Sequence, residues 1–186
     1  MRRATIVVAG ILAAAVVGCA PADNGGGQEP PGDIPLPGQE WALADGKVTA
    51  AEYRTAVDRF VSCVRDAGYA VSDPVRSPAD NLTLIYDITP SGEPDTYNKA
   101  VQTCNLADLS LVEPTFVEAH QQVMDKALRV AVSDCVKRRG VRLTAQERNL
   151  ADFAASAKDD TKVVDCVTGQ WRRVYPKLPT VVPLRF

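Results

Sequence analysis

The segments Cys63-Val-Arg-Asp-Ala-Gly-Tyr-Ala-Val71 and Cys135-Val-Lys-Arg-Arg-Gly-Val-Arg-Leu143 decide how this chain reads. Each puts a cysteine and a basic residue at a helix end, a glycine where the chain must turn out of the helix, and a short extended exit after it. Each is followed by another cysteine with a valine three residues before it: Val101 with Cys104, and Val163 with Cys166. The correspondence predicts a divergent two-fold repeat, with halves over residues 49–110 and 114–175. It implies one crosslink per half, Cys63 to Cys104 and Cys135 to Cys166, among the three connectivities that four cysteines allow. A tetrathiolate metal site and buried free thiols compete with that reading, although the chain has no Cys-x-x-Cys pair.

Outward from these segments the hydrophobic pattern is mostly helical. Thr49 followed by Glu52 forms a capping box, and Tyr53, Ala56, Val57, Phe60, Val61, Val64 and Ala67 then recur at helical spacing up to Gly68. Tyr69–Val71 and Leu82–Ile88 read as short strands of a small hairpin. A second helix is expected near Asp95–Leu106, and a long one from Pro114 to Gly140. Thr144 with Glu147 is a second capping box, for a helix over Ala145–Ala157, and a last helix runs from Lys162 to Tyr175, where Pro176 stops it. The expected fold is mainly α with a small β-hairpin, an α+β arrangement compacted by disulfides. An apolar fraction of 46% suits a packed core and excludes wholesale disorder.

The N-terminus carries a different signal. Arg2 and Arg3 precede an apolar run, Ile6–Val17, that reaches only about 18 Å as a helix, too short for a membrane core of about 30 Å. Residues 1–18 therefore read as a secretory signal peptide. Its ending, Val16-Val-Gly-Cys19, resembles a bacterial lipobox, which makes Cys19 the lipidation site. A thioether-linked diacylglycerol with an N-acyl (palmitate) chain supplies the two-chain anchoring that one acyl group cannot. Residues 19–40, rich in Gly and Pro, read as a flexible tether of about 25 Å average span, followed by a single folded domain over 41–186. The expected location is the extracytoplasmic face of the cell membrane. Losing Arg2 and Arg3 from 21 basic residues leaves 19 against 23 acidic ones, a balance that argues against nucleic acid as a partner.

Asp45, Gly46, Val48, Thr49, Glu52 and Tyr53, then Cys63 with Arg65 and Gly68, then Cys104 and a downstream helix, resemble a group of small secreted actinobacterial lipoproteins with Cys-x-Arg-x-x-Gly segments. The likeness spans about Asp45 to Val141, with Val64 where Leu or Met is expected. It implies an exported, lipid-anchored protein and no agreed activity.

No catalytic or metal-binding residue and no cofactor follows from the sequence. A single histidine rules out zinc sites needing two or three imidazoles and leaves His120 alone for any triad. His120 shares a register with Val117 and Met124, so a core-boundary ring bonded to a carbonyl is expected. Asp45 to Glu52 mimic the second half of a calcium loop, but Trp41 and Leu43 occupy its first ligand positions, and a turn into a capped helix explains the same residues. Asn81-Leu-Thr83 matches a glycosylation sequon that a turn also explains. Arg172, Arg173, Lys177 and Arg185 form a C-terminal run without acids, which suits contact with anionic headgroups or acidic wall polymers, or, the preferred reading, a solvated helix face followed by an extended tail packed on the domain.

The function expected is a binding or accessory module in the cell envelope, facing a wall component or an envelope protein, and not an enzyme. The alternatives are a small carboxylate-dependent glycan hydrolase, or an inhibitor presenting Ser72–Gly92 as an exposed loop. Intact mass of the membrane-extracted protein should show diacylglycerol, and Cys19→Ala should move it into the soluble fraction.

Overall fold

The computed structural model describes residues 38–186; Cys19, the signal peptide and most of the tether lie outside them. The described chain takes seven helices and two small sheets: α1 (Glu40–Leu43), α2 (Ala50–Asp66), β1 (Ala70–Val71), β2 (Val75–Arg76), β3 (Leu84–Ile85), β4 (Ile88–Thr89), α3 (Pro94–Asp108), α4 (Val112–Glu118), α5 (Lys126–Arg138), α6 (Leu150–Ala157) and α7 (Asp160–Val174). This is the mainly helical, disulfide-stapled domain expected.

The predicted pairing is the one formed. Cys63 bonds Cys104 and Cys135 bonds Cys166, each with a Cα–Cα distance of 5.7 Å, so α2 is stapled to α3 and α5 to α7. The two helix ends also share a hydrogen-bond pattern. Gly68 N–H donates to Arg65 O (2.9 Å) and Tyr69 N–H to Val64 O (3.2 Å), while Gly140 N–H donates to Lys137 O (3.0 Å) and Val141 N–H to Val136 O (3.1 Å). Both glycines have positive φ, +93° and +81°, a conformation a β-carbon disfavours.

The core is two clusters, which do not divide at the expected boundary between halves: Phe116 and Val117 join the first, and Ala79 and Ile85 the second. The first gathers the α2 stripe with Val112, Phe116 and Val117 of α4. The second gathers Leu128, Val132 and Val136 of α5 with Phe153, Val163, Val167 and Trp171. The hairpin is the wall between them. β1 pairs antiparallel with β4 and β2 with β3, and because successive strand side chains face opposite ways, Leu84 joins the first core and Ile85 the second.

Several expectations need correction. The strand read as Leu82–Ile88 is two separate two-residue strands, broken where Asp87 N–H turns to Ser72 Oγ. Ser72–Gly92 is not an exposed loop: Ser77, Ala79, Asp80 and Thr83 at its tip are buried. The Asp80 carboxylate is satisfied locally by the backbone N–H groups of Leu82 and Thr83 and by the Thr83 hydroxyl, so the tip enters the core without an unpaired charge. The long helix Pro114–Gly140 is interrupted. Val123 N–H donates to Asp80 O, Met124 N–H to Arg148 O and Asp125 N–H to Pro78 O, which draws the backbone out of the helix until Asp125 caps α5. The Thr144–Glu147 bonds form, yet no helix starts there: Ala145 has φ +67° and α6 begins only after Asn149 caps it. The folded region also begins slightly before Trp41. Gln39 is fully buried and bridges Leu106 O, Ser110 Oγ and the N–H groups of Leu111 and Val112, which ties α1 to the α3–α4 turn.

Non-reducing peptide mapping should recover the same two pairs. Loops of 41 and 31 residues each give about 4 kcal/mol by loop-closure entropy, so Cys135→Ser with Cys166→Ser should cost roughly that much in denaturant unfolding.

Candidate functional site

The two halves meet around one carboxyl group. Leu84 N–H on β3 donates to the Tyr53 hydroxyl (2.8 Å), which donates to Glu113 Oε2 (3.0 Å), and Arg185 Nη2 from the C-terminal segment donates to Glu113 Oε1 (3.0 Å). Burial raises the Glu113 pKa above the usual carboxylate range, opposed by the Tyr53 hydrogen bond and the Arg185 cation. Burial, with the Glu113 charge second, also raises the Tyr53 and Tyr86 phenols. Glu113 opens into a cleft of about 500 Å³ between the β3–β4 edge and residues 180–183, walled by Tyr86, Tyr97, Ile88 and Asp87.

A second surface is larger and basic. A groove of about 720 Å³ runs between α5 and residues 143–148, with Arg129, Lys137 and Arg148 on its walls and the exposed Val130 beside them. Asp134 is the exposed acid on that wall. None of the three cations forms an ion pair among the described residues; the ion pairs there use Arg65, Arg139, Lys162 and Arg185. The far wall is fixed by Glu147, whose carboxylate accepts from Thr144 N–H, Thr144 Oγ and Ser156 Oγ. Burial pushes its pKa up, but these hydrogen bonds outweigh burial and hold it at about 2.

The residues singled out from sequence fall in different places. Arg172, Arg173 and Lys177 are exposed, but Arg185 is turned inward onto Glu113, so the four do not form one free cationic face. Trp171 is core, with its indole N–H on Pro179 O. His120 Nδ1 meets the Phe116 carbonyl at 2.6 Å, the partner type expected. Its ring is nevertheless exposed, because the helix that would have carried it inward ends at Glu118. Asp45 closes a turn on Lys47 N–H before the Thr49–Glu52 box, and Asn81 donates its side-chain amide to Val123 O. Sequence reasoning marked Lys137 only as the basic residue of a helix end and missed Arg129 and Arg148. The spacing of Arg129 and Lys137 placed them on one helix face, but nothing local showed that Arg148 would lie opposite.

The fold and surfaces define a two-core helical domain held by disulfides, of the kind that forms in an oxidising, extracytoplasmic compartment. Among the described residues no helix is long and apolar enough to cross a membrane. No family model, curated protein or solved structure matches the chain.

The Glu147 pKa sets a pH window. A carboxyl near 4.5 in the unfolded chain and about 2 in the folded one contributes stability that is complete above pH 4.5 and lost as pH falls toward 2. The stability gap between wild type and Glu147→Gln, followed by urea melts, should therefore be largest above pH 5 and close across that interval.

Proposed function

We propose that this protein is a lipid-anchored extracytoplasmic binding module whose partner is an acidic polymer of the cell wall. The supporting observation is the basic groove: Arg129, Lys137 and Arg148 line an open channel beside the acids Asp134 and Glu147, and none of the three cations forms an ion pair among the described residues. A channel open to solvent suits an extended polyanion, which gains from several spaced cations without being enclosed. From Arg129 to Lys137 the helix rises about 12 Å, long enough to meet consecutive charges of one strand. The C-terminal cations contribute less than their spacing suggests, since Arg185 is committed to Glu113. A tether at the membrane and a groove for wall polymer would hold the domain between the two layers.

A hydrolase reading has one feature in its favour, the presence of Asp87 and Glu113 around the same cleft. Both Glu113 oxygens are already engaged, by Tyr53 and by Arg185, which leaves the carboxyl poorly placed to deliver a proton to a leaving group.

One experiment separates the two. The soluble domain, incubated with purified walls, should sediment with them in a salt-sensitive manner and release no sugar. Arg129→Glu with Lys137→Glu and Arg148→Glu should cut retention at least tenfold, and stripping acidic polymers from the walls should do the same. Unchanged retention would refute the groove, and sugar release abolished by Glu113→Gln would establish the hydrolase.

A further inference from the structure

A smaller cleft of about 310 Å³ lies between the start of α2, the hairpin tip and the chain just past α4. Arg54, Arg76, Asn81 and His120 line it, over a floor that includes Tyr53 and Phe116. It shares no lining residue with the basic groove. The two arginines are exposed, neither is ion-paired among the described residues, and no carboxylate appears among the residues lining the cleft.

Three features make this a built arrangement and not a chance run of basic residues. First, the cationic and imidazole groups come from a helix, a strand and a loop, so only the tertiary fold brings them together. Second, the floor is stiff: Tyr53 and Phe116 stack with centroids 4.6 Å apart, and Phe116 packs on the His120 ring at 4.4 Å. Third, the remaining polar groups are oriented. The Phe116 carbonyl can only accept, so His120 Nδ1 carries the proton and donates to it, which leaves Nε2 available for a ligand. Asn81 is held in the left-handed region at φ +58° by its N–H on Ser77 O and its side-chain amide on Val123 O. Its Oδ1 is left as an acceptor for a ligand hydroxyl.

Two guanidinium groups in a preformed cleft select a compact oxyanion, because each presents parallel N–H donors matched to two oxygens of one group. The N-terminus of α2 lies alongside at Ala50, but its capping box occupies Glu52 N–H and engages the Glu52 carboxylate, so recognition rests on the side chains. We propose that this cleft binds a phosphate group, with Arg54 and Arg76 as the clamp and His120 Nε2, the acceptor in this tautomer, taking a hydrogen bond from a phosphate P–OH as the third contact. The phosphate belongs to a small phosphorylated ligand or to the end of a phosphate-bearing polymer. The proposal stands independently of the groove.

The soluble domain would be titrated with inorganic phosphate, glycerol 3-phosphate and glycerol, with calorimetry and the His120 Cε1–H resonance as readouts. Saturable binding of both phosphates, with a shift of the His120 signal and none from glycerol, is the expected result. Arg54→Gln or Arg76→Gln should weaken it at least tenfold without moving the thermal midpoint, and Arg148→Glu should leave it unchanged. Tighter binding of glycerol 3-phosphate than of inorganic phosphate assigns a small organic phosphate. Equal binding, together with competition by wall polymer fragments, assigns a polymer end. Absence of saturation by about 10 mM phosphate, well above a millimolar Kd, would overturn the proposal, as would binding undiminished in the Arg54→Gln, Arg76→Gln double variant.

Discussion

The Tyr53 hydroxyl accepts one hydrogen bond and donates another, and through those two bonds α2, β3 and α4 are brought into register, with the C-terminal segment joined by a third, from Arg185 to Glu113. Tyr53 is only 2% exposed, so without its partners the phenol, the Leu84 N–H and the Glu113 carboxyl would each carry a desolvation cost. The cost of burying Glu113 is offset by Arg185, which reaches it from 72 residues away. The last stretch of chain is thereby placed over the seam between the halves, although it has no helix or strand of its own. Leu178, Val182 and Leu184 meanwhile pack on the second core. The segment therefore touches both halves: apolar side chains on one, a charge on the other.

The hairpin has the complementary role. Its side chains alternate between two cores, so a two-residue strand joins halves that could otherwise separate as two stapled helix pairs. Its tip is polar yet buried, which is tolerable because Asp80 forms its bonds within the turn itself. The same tip draws in Val123 and Asp125, and that pull ends the helix at Glu118. One backbone exchange thus accounts for the broken helix, the capped start of α5 and the outward position of His120.

The halves share a staple and a helix end but not a surface. Aligned on Cys63 and Cys135, Asp58 and Asp66 of α2 correspond to Val130 and Arg138 of α5. Both segments supply what closes a core, namely the cysteine, the glycine in its left-handed turn and the inward valine. The groove cation Lys137 has a basic counterpart in Arg65, but Arg129 answers to the buried Val57 and Arg148 comes from a loop, so the basic groove is built only by α5 and the chain after it, while the phosphate cleft draws on α2 and on elements that come after it in the chain.

Much of the architecture was legible in one dimension because its causes are local. Helical spacing from Tyr53 to Val64, the Thr49–Glu52 box and the two glycine exits act within a few residues, and the internal likeness was enough to pair the cysteines. Local signals misled where long-range bonds compete with them. Thr144 and Glu147 make their bonds, but Met124 takes the Arg148 carbonyl and the helix cannot begin. Pro114–Gly140 has helical periodicity throughout, but the hairpin tip offers its middle better partners. The candidate sites were less legible still. A tail packed on the domain was legible at Arg185, but its partner Glu113, 72 residues away, was not; Arg148, Arg76 and Arg54 acquire meaning from what lies opposite them. The sequence by itself determined the mainly helical character, helices α2 and α7 and the stapled pairs, since each depends on neighbours in the chain or on a likeness between two of its segments. The tertiary structure alone decided which cations face a groove and which are neutralised, because that depends on contacts between residues far apart in the chain.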